Sequence, residues 1–157
     1  MLGVRPHRKG GVAVRLLVSR VLYVGLGILA SGEASATPIQ WVGGNGHFYE
    51  MISTLVPTWH HAQSAAESEV LAGMPGHLVT LTSSAEEAFI RQSFGVQSLW
   101  LGLTDEESEG VFAWVTGEPF SYANWQPGEP NGGAFENYVE ILTGPLCSLH
   151  NVLSQRA

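Results

Sequence analysis

Residues 122–142 read YANWQPGEPNGGAFENYVEIL, and they concentrate oxygen-bearing side chains in a chain whose charged residues make up only 13 % of its length. Glu129, Asn131 and Glu136 fall close together around Pro130 and the Gly132-Gly133 pair. A packed core gains nothing from such a cluster. One reading is an ordinary loop, because proline presets φ and Asn-Gly accepts positive φ. The other is a cation site, because calcium takes roughly six to eight oxygen ligands from carboxylates, amide carbonyls and water and tolerates irregular geometry. An X-Pro bond is also where a cis peptide is affordable. A cis bond at Glu129-Pro130 would turn the neighbouring side chains toward one point.

Outward from this stretch, ENYVEIL reads as a strand, and SLWLGLTD and GVFAWVTG upstream read as two more. Between them a loop from Gly117 to Phe135 carries three prolines. Loops of that length are functional or disordered, and Phe120, Tyr122 and Trp125 argue against disorder because they can pin the loop to a core. Nearer the N-terminus, HFYEMIS is a first strand. TWHHAQSAAESEVL is a helix with Trp59, Ala62, Ala66 and Val70 on one face, stopped by AGMPG. HLVTL is a short apolar strand. TSSAEEAFIRQSFG opens a second helix through a Ser-x-x-Glu capping box, Ser83 to Glu86 or Ser84 to Glu87. Helices first and strands later make an α+β domain. No internal repeat or low-complexity tract interrupts residues 45–142.

A chain of 157 residues with 45 % hydrophobic content, five Trp and six Phe is enough for one cored domain. The N-terminus has a different texture. Arg5, Arg8, Lys9, Arg15 and Arg20 precede the apolar run VLYVGLGILA, and ASA follows at 34–36. A basic segment, a short apolar core and an A-x-A site mark a secretory signal peptide over residues 1–36, cleaved after Ala36. A membrane anchor would need about 20 apolar residues, and Arg15 and Arg20 interrupt the run too early. The expectation is therefore a secreted product, extracellular or periplasmic, with no membrane segment after cleavage. Residues 37–142 form the domain and 143–157 a divergent tail.

Cleavage would leave Arg91 and Arg156 against 13 acids, a formal charge of −11. Such a surface repels phosphate backbones and anionic headgroups, which excludes nucleic acid as a partner, and it suits cations. Cys147 is the only cysteine, so no internal disulfide is available and stability must come from packing or a bound ion.

The order TWHHAQSAA, GHLVTLTSSAEEAFI, LWLGLTDEESEGVFAWVTGEPFSYANWQPGEPN and ENYVEI resembles the C-type lectin-like domain over residues 45–142, in the secreted bacterial style that lacks disulfides. What the resemblance implies is specific. The fold would be α+β with two helices, small antiparallel sheets and a long calcium-binding loop. Glu-Pro-Asn would be the sugar-reading motif. Carried over residue by residue, Glu129, Asn131 and Glu136 would hold one Ca²⁺, and two neighbouring sugar hydroxyls would replace water on it. The carboxylate would accept hydrogen bonds from those hydroxyls and the Asn amide would donate. The order Glu-then-Asn looks like the mannose, glucose, N-acetylglucosamine and fucose class, so the partner implied is a glycan. Asp105 and Glu109 in TDEESEG resemble the acids of a second, auxiliary Ca²⁺ site, whose third acid is replaced by Gly132. Trp125 could flank the sugar.

The chain departs from the pattern at two places. Ala66 and Tyr138 stand where animal members pair cysteines. After ENYVEIL the family continues with a Trp-Asn-Asp strand and a last strand that pairs with the first, whereas this chain runs TGPLCSLHNVLSQRA. The last strands are thus expected to be missing or altered, with Asn151 alone, the first strand short of a partner and the calcium short of up to two ligands. The alternatives are a calcium-independent lectin-like module for protein binding or adhesion, and a truncated lectin domain without function. An enzyme is not expected: Glu129 and Glu136 as a glycosidase pair would need a cleft and a raised carboxyl pKa, and GEPNGG suggests no burial. His60 and His61 adjoin on one helix and point apart, which does not suit zinc.

Overall fold

Ser98–Thr104, SLWLGLT, is apolar at successive positions rather than alternate ones, the pattern of a strand covered on both faces. Leu99, Trp100, Leu101 and Leu103 have no exposed surface. The computed structural model describes residues 11–17, 37–56, 58–95, 98–142 and 148–152. The apolar run at 21–30, the A-x-A site at 34–36 and Cys147 lie outside the described residues.

In chain order the elements are β1 (Gly11–Leu17), β2 (Ile39–Gln40), β3 (Phe48–Val56), α1 (Trp59–Ser68), β4 (Val70–Leu71), β5 (Met74–Pro75), β6 (His77–Leu78), α2 (Ser84–Phe94), β7 (Ser98–Thr104), β8 (Ala113–Trp114), a 3₁₀ turn (Gly133–Phe135), β9 (Tyr138–Leu142) and β10 (Ser148–Val152). The main sheet runs β10-β9-β7-β1-β3-β2, with β6 also paired to β1 and β8 to β7; β4 and β5 form a separate hairpin. The α+β class and the two expected helices are both present. One core cluster, built on Tyr49, Val79, Leu81, Ile90, Leu99, Leu101, Leu103, Trp114, Val139, Ile141 and Leu149, underlies the long loop. A second joins Trp59, Ala62, Ala66, Leu78, Trp100 and Tyr138. Ala66 and Tyr138, the positions without cysteine, therefore share an apolar cluster in which Tyr138 packs on Trp59 at 4.9 Å between ring centroids.

Three expectations change. α1 ends at Ser68, before Val70, which is 60 % exposed and starts the β4–β5 hairpin. The reason lies in the turn: Ala72 and Gly73 both take positive φ, 53° and 83°, the two-residue geometry that closes a tight hairpin and pulls Val70 off the helix. HLVTL and GVFAWVTG make ladders only at His77–Leu78 and Ala113–Trp114, although Val79, Leu81 and Trp114 are buried as core residues.

The third change concerns the ends. A strand does follow β9: β10 runs antiparallel to it with Leu149 opposite Ile141 and Asn151 opposite Val139, and Leu149 is fully buried. The first strand of the domain, β3, is not short of a partner either. β1, from the segment expected to be a leader, pairs antiparallel with β3 and parallel with β7.

α2 begins as the first of the two capping boxes suggests. Ser83 is the N-cap and its hydroxyl accepts from Glu86 N at 3.2 Å. The Glu86 carboxylate does not return to the cap. It is fully buried and accepts from Thr82 N (2.8 Å), the Thr82 hydroxyl (2.7 Å), the Tyr49 hydroxyl (2.6 Å) and Asn45 Nδ2 (3.0 Å), the set of donors that a buried carboxylate needs. Gly95, at φ 54°, ends the helix in the left-handed conformation that glycine adopts most readily.

Candidate functional site

The loop between Gly117 and Phe135 has almost no ladder of its own, so its shape depends on anchors. Phe120 packs edge-on against Trp114, and Trp125 lies against Phe112 at 5.1 Å. Trp125 is therefore packed against the core rather than turned to flank a ligand. The Tyr122 hydroxyl donates to Glu87 Oε2 (2.7 Å) and Asn124 Nδ2 to Glu87 Oε1 (3.0 Å), with Glu87 only 3 % exposed. Burial first, and then the Glu87 carboxylate, push the Tyr122 hydroxyl above its ordinary range, so it stays a donor. At the far end Leu149 N donates to Asn124 O (2.8 Å) and Gln126 N to Leu149 O (3.0 Å), which ties the loop to β10.

On these anchors stands the Glu-Pro-Asn turn, and the Glu129-Pro130 peptide is cis. Asn131 Nδ2 donates to Glu129 Oε1 at 3.0 Å. The Glu129 side chain is only 10 % exposed, and its second oxygen, Oε2, is buried without a hydrogen-bond partner among the described residues. His150 brings Nδ1 to 3.3 Å from Glu129 Oε1, an ion pair when the imidazole is protonated, and its Nε2 contacts the Gln126 side-chain oxygen. Asn151, 4 % exposed, links the two halves of the site. Its Oδ1 accepts from Asn131 N (3.3 Å) and its Nδ2 donates to Glu136 O (3.0 Å).

Glu136 thus joins Glu129 and Asn131 through Asn151 rather than by a direct bond. Its carboxylate folds over Gly132, where an added Cβ would stand 2.1 Å from Oε2, so only glycine leaves room for it. Asp105 and Glu109 lie on the turn after β7. Asp105 is 3 % exposed and its Oδ2 caps Gly110 N at 2.9 Å. Glu109 is exposed, with Oε1 3.9 Å from where a Cβ on Gly133 would sit. Among the described residues no three His, Cys, Asp or Glu side chains are grouped closely enough to hold a metal between them. Acceptors of the kind a hard cation takes are nonetheless present in two separate places: Glu129 Oε2 in the Glu-Pro-Asn turn, and Asp105 Oδ1 and Asn137 Oδ1 at the turn after β7, are buried oxygens without hydrogen-bond partners among the described residues. Asn137 O also accepts from Asp105 N at 3.2 Å, which places Asn137 beside the Asp105 turn.

Sequence reasoning missed Asn137, His150 and Asn151 as site residues, and it had a usable signal only for Asn137, the immediate neighbour of Glu136. His60 and His61 diverge as expected: His60 Nε2 faces Glu106 at 3.5 Å and the Tyr138 hydroxyl, while His61 Nδ1 bonds the Thr58 hydroxyl at 2.7 Å.

A cis Glu-Pro-Asn turn, carried by a long aromatic-pinned loop above an α+β core, defines a lectin-type domain. The chain belongs to the C-type lectin family: the family model described as the lectin C-type domain matches residues 56–143. Halomucin of Haloquadratum walsbyi (strain DSM 16790 / HBSQ001) is 40 % identical over 111 residues, which is 62 % of this chain and 1 % of halomucin, so the chain spans a very small part of that relative. Among solved structures, the C-type carbohydrate-recognition domain of cow CD23, in the presence of GlcNAc2Man3 oligosaccharide, is 34 % identical with a TM-score of 0.54, over 63 % of this chain and 72 % of that one. The C-type lectin CEL-I of Cucumaria echinata is 26 % identical with a TM-score of 0.64, over 75 % of this chain and 89 % of that one.

Proposed function

We propose that this chain is an exported, calcium-dependent carbohydrate-binding protein of the mannose, glucose, N-acetylglucosamine and fucose class, without catalytic activity. The observation that carries the reading is the Glu129 carboxylate, one oxygen of which is bonded to Asn131 Nδ2 while the other is buried and unpartnered in the Glu-Pro-Asn turn. Glu129, Asn131 and Glu136 would hold the ion, with Asp105 and Glu109 contributing to an auxiliary one. Calcium, when bound, supplies positive charge and coordination positions open to neighbouring hydroxyls. Glu129 accepts hydrogen bonds from the sugar hydroxyls and the Asn131 amide donates to them, so the pair reads a diol by its donors and acceptors. Asn151 keeps Asn131 and Glu136 in place through their main chains. A single shallow site binds weakly, so useful avidity comes from several copies. Export is supported by the basic and apolar N-terminal segment, and the acidic surface disfavours nucleic acid.

Retention on immobilised mannose and on immobilised galactose tests this. Retention on mannose alone in millimolar calcium, released by EDTA, is the expected result; retention on neither column, or retention that EDTA leaves intact, contradicts it. The second reading, a calcium-independent binding module, is favoured by one observation. Asn131 Nδ2 and His150 Nδ1 both approach Glu129 Oε1, so part of the carboxylate is already satisfied by the protein.

A further inference from the structure

β1 occupies the middle of the main sheet, between β7 on one side and β3 on the other. After an irregularity between Gly11 and Ala13 its register with β3 is unbroken, Ala13 to Leu17 facing Ile52 to Phe48; Arg15 and Leu16 face Leu78 and His77 of β6, and Val12 and Ala13 run parallel to Leu99 and Trp100 of β7. No other described strand lies in that position. β10 is at the opposite edge, beyond β9, and β2 covers the outer side of β3.

The slot cannot stand empty. Leu99, Trp100 and Leu101 are fully buried, and Tyr49 and Glu50 of β3 are 0 % and 3 % exposed, so an unfilled gap would leave two rows of main-chain N–H and C=O groups facing each other in the interior. Buried main-chain groups of that kind are almost always paired. The sequence GVAVRLL at 11–17 alternates valine with small residues and suits a strand.

We infer that Gly11–Leu17 is a structural strand of the folded domain, a closing strand supplied from the N-terminus, and that it stays with residues 37–152 rather than being cut away after Ala36. This inference is independent of the sugar-binding reading: the slot and its registers involve neither Glu129 nor Asn131.

Cross-linking in the full chain tests it. Val14 and Met51 are register partners. In a Cys147→Ser background, the pair Val14→Cys and Met51→Cys should oxidise to a disulfide within one chain, seen as a monomer with faster non-reducing mobility that reductant reverses. A disulfide-linked dimer overturns the inference in favour of a strand lent by a second copy, and no disulfide overturns it outright. In the unaltered chain, the amides of residues 11–17 should exchange with deuterium at least tenfold more slowly than in a free peptide of the same sequence. Exchange at the peptide rate overturns the inference without relying on any variant. Finally, the intact mass of the exported product should include Gly11–Leu17; a mass matching residues 37–157 overturns it.

Discussion

Asn151 shows how one side chain outside a motif can decide a site. It is buried, and it spends both ends of its amide on the main chains of Asn131 and Glu136. Asn151→Ala leaves an N–H and a C=O without partners, so it should destabilise the protein by about 1–3 kcal/mol, read as a lowered denaturant midpoint, and it should weaken sugar retention more than that loss alone explains. An unchanged midpoint would contradict the role. Neither Asn151 nor His150 was legible as a site residue, because both lie past the motif in a stretch without the expected Trp-Asn-Asp; only the β10 register brings them back to Glu129. The cis Glu129-Pro130 peptide was legible, and with it the approach of the Asn131 amide to the Glu129 carboxylate, since Glu-Pro-Asn brings these two side chains together by local chain geometry alone. His47 offers a pH test. Burial lowers its pKa most, the Glu86 and Glu118 carboxylates pull it back up, and His77 adds to the lowering. The unfolded chain then takes up the proton first as pH falls below about 6.5, so stability is present above that pH and declines below it. The melting temperature of the parent should fall more steeply between pH 7.5 and 5.5 than that of His47→Gln; equal slopes would contradict this.

At the scale of elements, local signals worked wherever the element carried its own stop. Ser83 and Gly95 bound α2 as the capping pattern indicates. Ser83→Ala should cost about 1 kcal/mol, since it removes the acceptor for Glu86 N, and thermal unfolding would register it; no change in melting temperature would mean that the Glu86 network alone sets the helix start. The boundary of α1 was missed because periodicity ran on through Val70, whereas the Ala72-Gly73 turn, a tighter local preference, ended it early. The brief ladders at His77–Leu78 and Ala113–Trp114 have another cause: Val79, Leu81 and Trp114 are fixed by burial in the core cluster beneath the loop and Leu78 by the cluster beside α1, and an apolar run reads the same whether its main chain joins a ladder or not. The long loop is the opposite case. Its aromatic anchors were legible, but its polar anchor, Glu87 holding Tyr122 and Asn124, pairs residues 35 and 37 positions apart, and no local pattern signals that.

At the scale of the molecule, the class of fold followed from the order of motifs, whereas the closing of the sheet did not. A strand drawn from a segment that reads as a leader is invisible to sequence pattern, because basic and apolar residues serve either role. Calcium held by the Glu-Pro-Asn loop would act on the whole molecule, since a ligand that binds only the folded state raises its stability by RT ln(1 + [L]/Kd). The most direct measurement is thermal unfolding of the full chain in EDTA and in increasing calcium, for the parent and for Glu129→Ala. The midpoint should climb with calcium in the parent and stay flat in Glu129→Ala; a parent midpoint indifferent to calcium, or a variant that climbs equally, would rule out calcium held by Glu129.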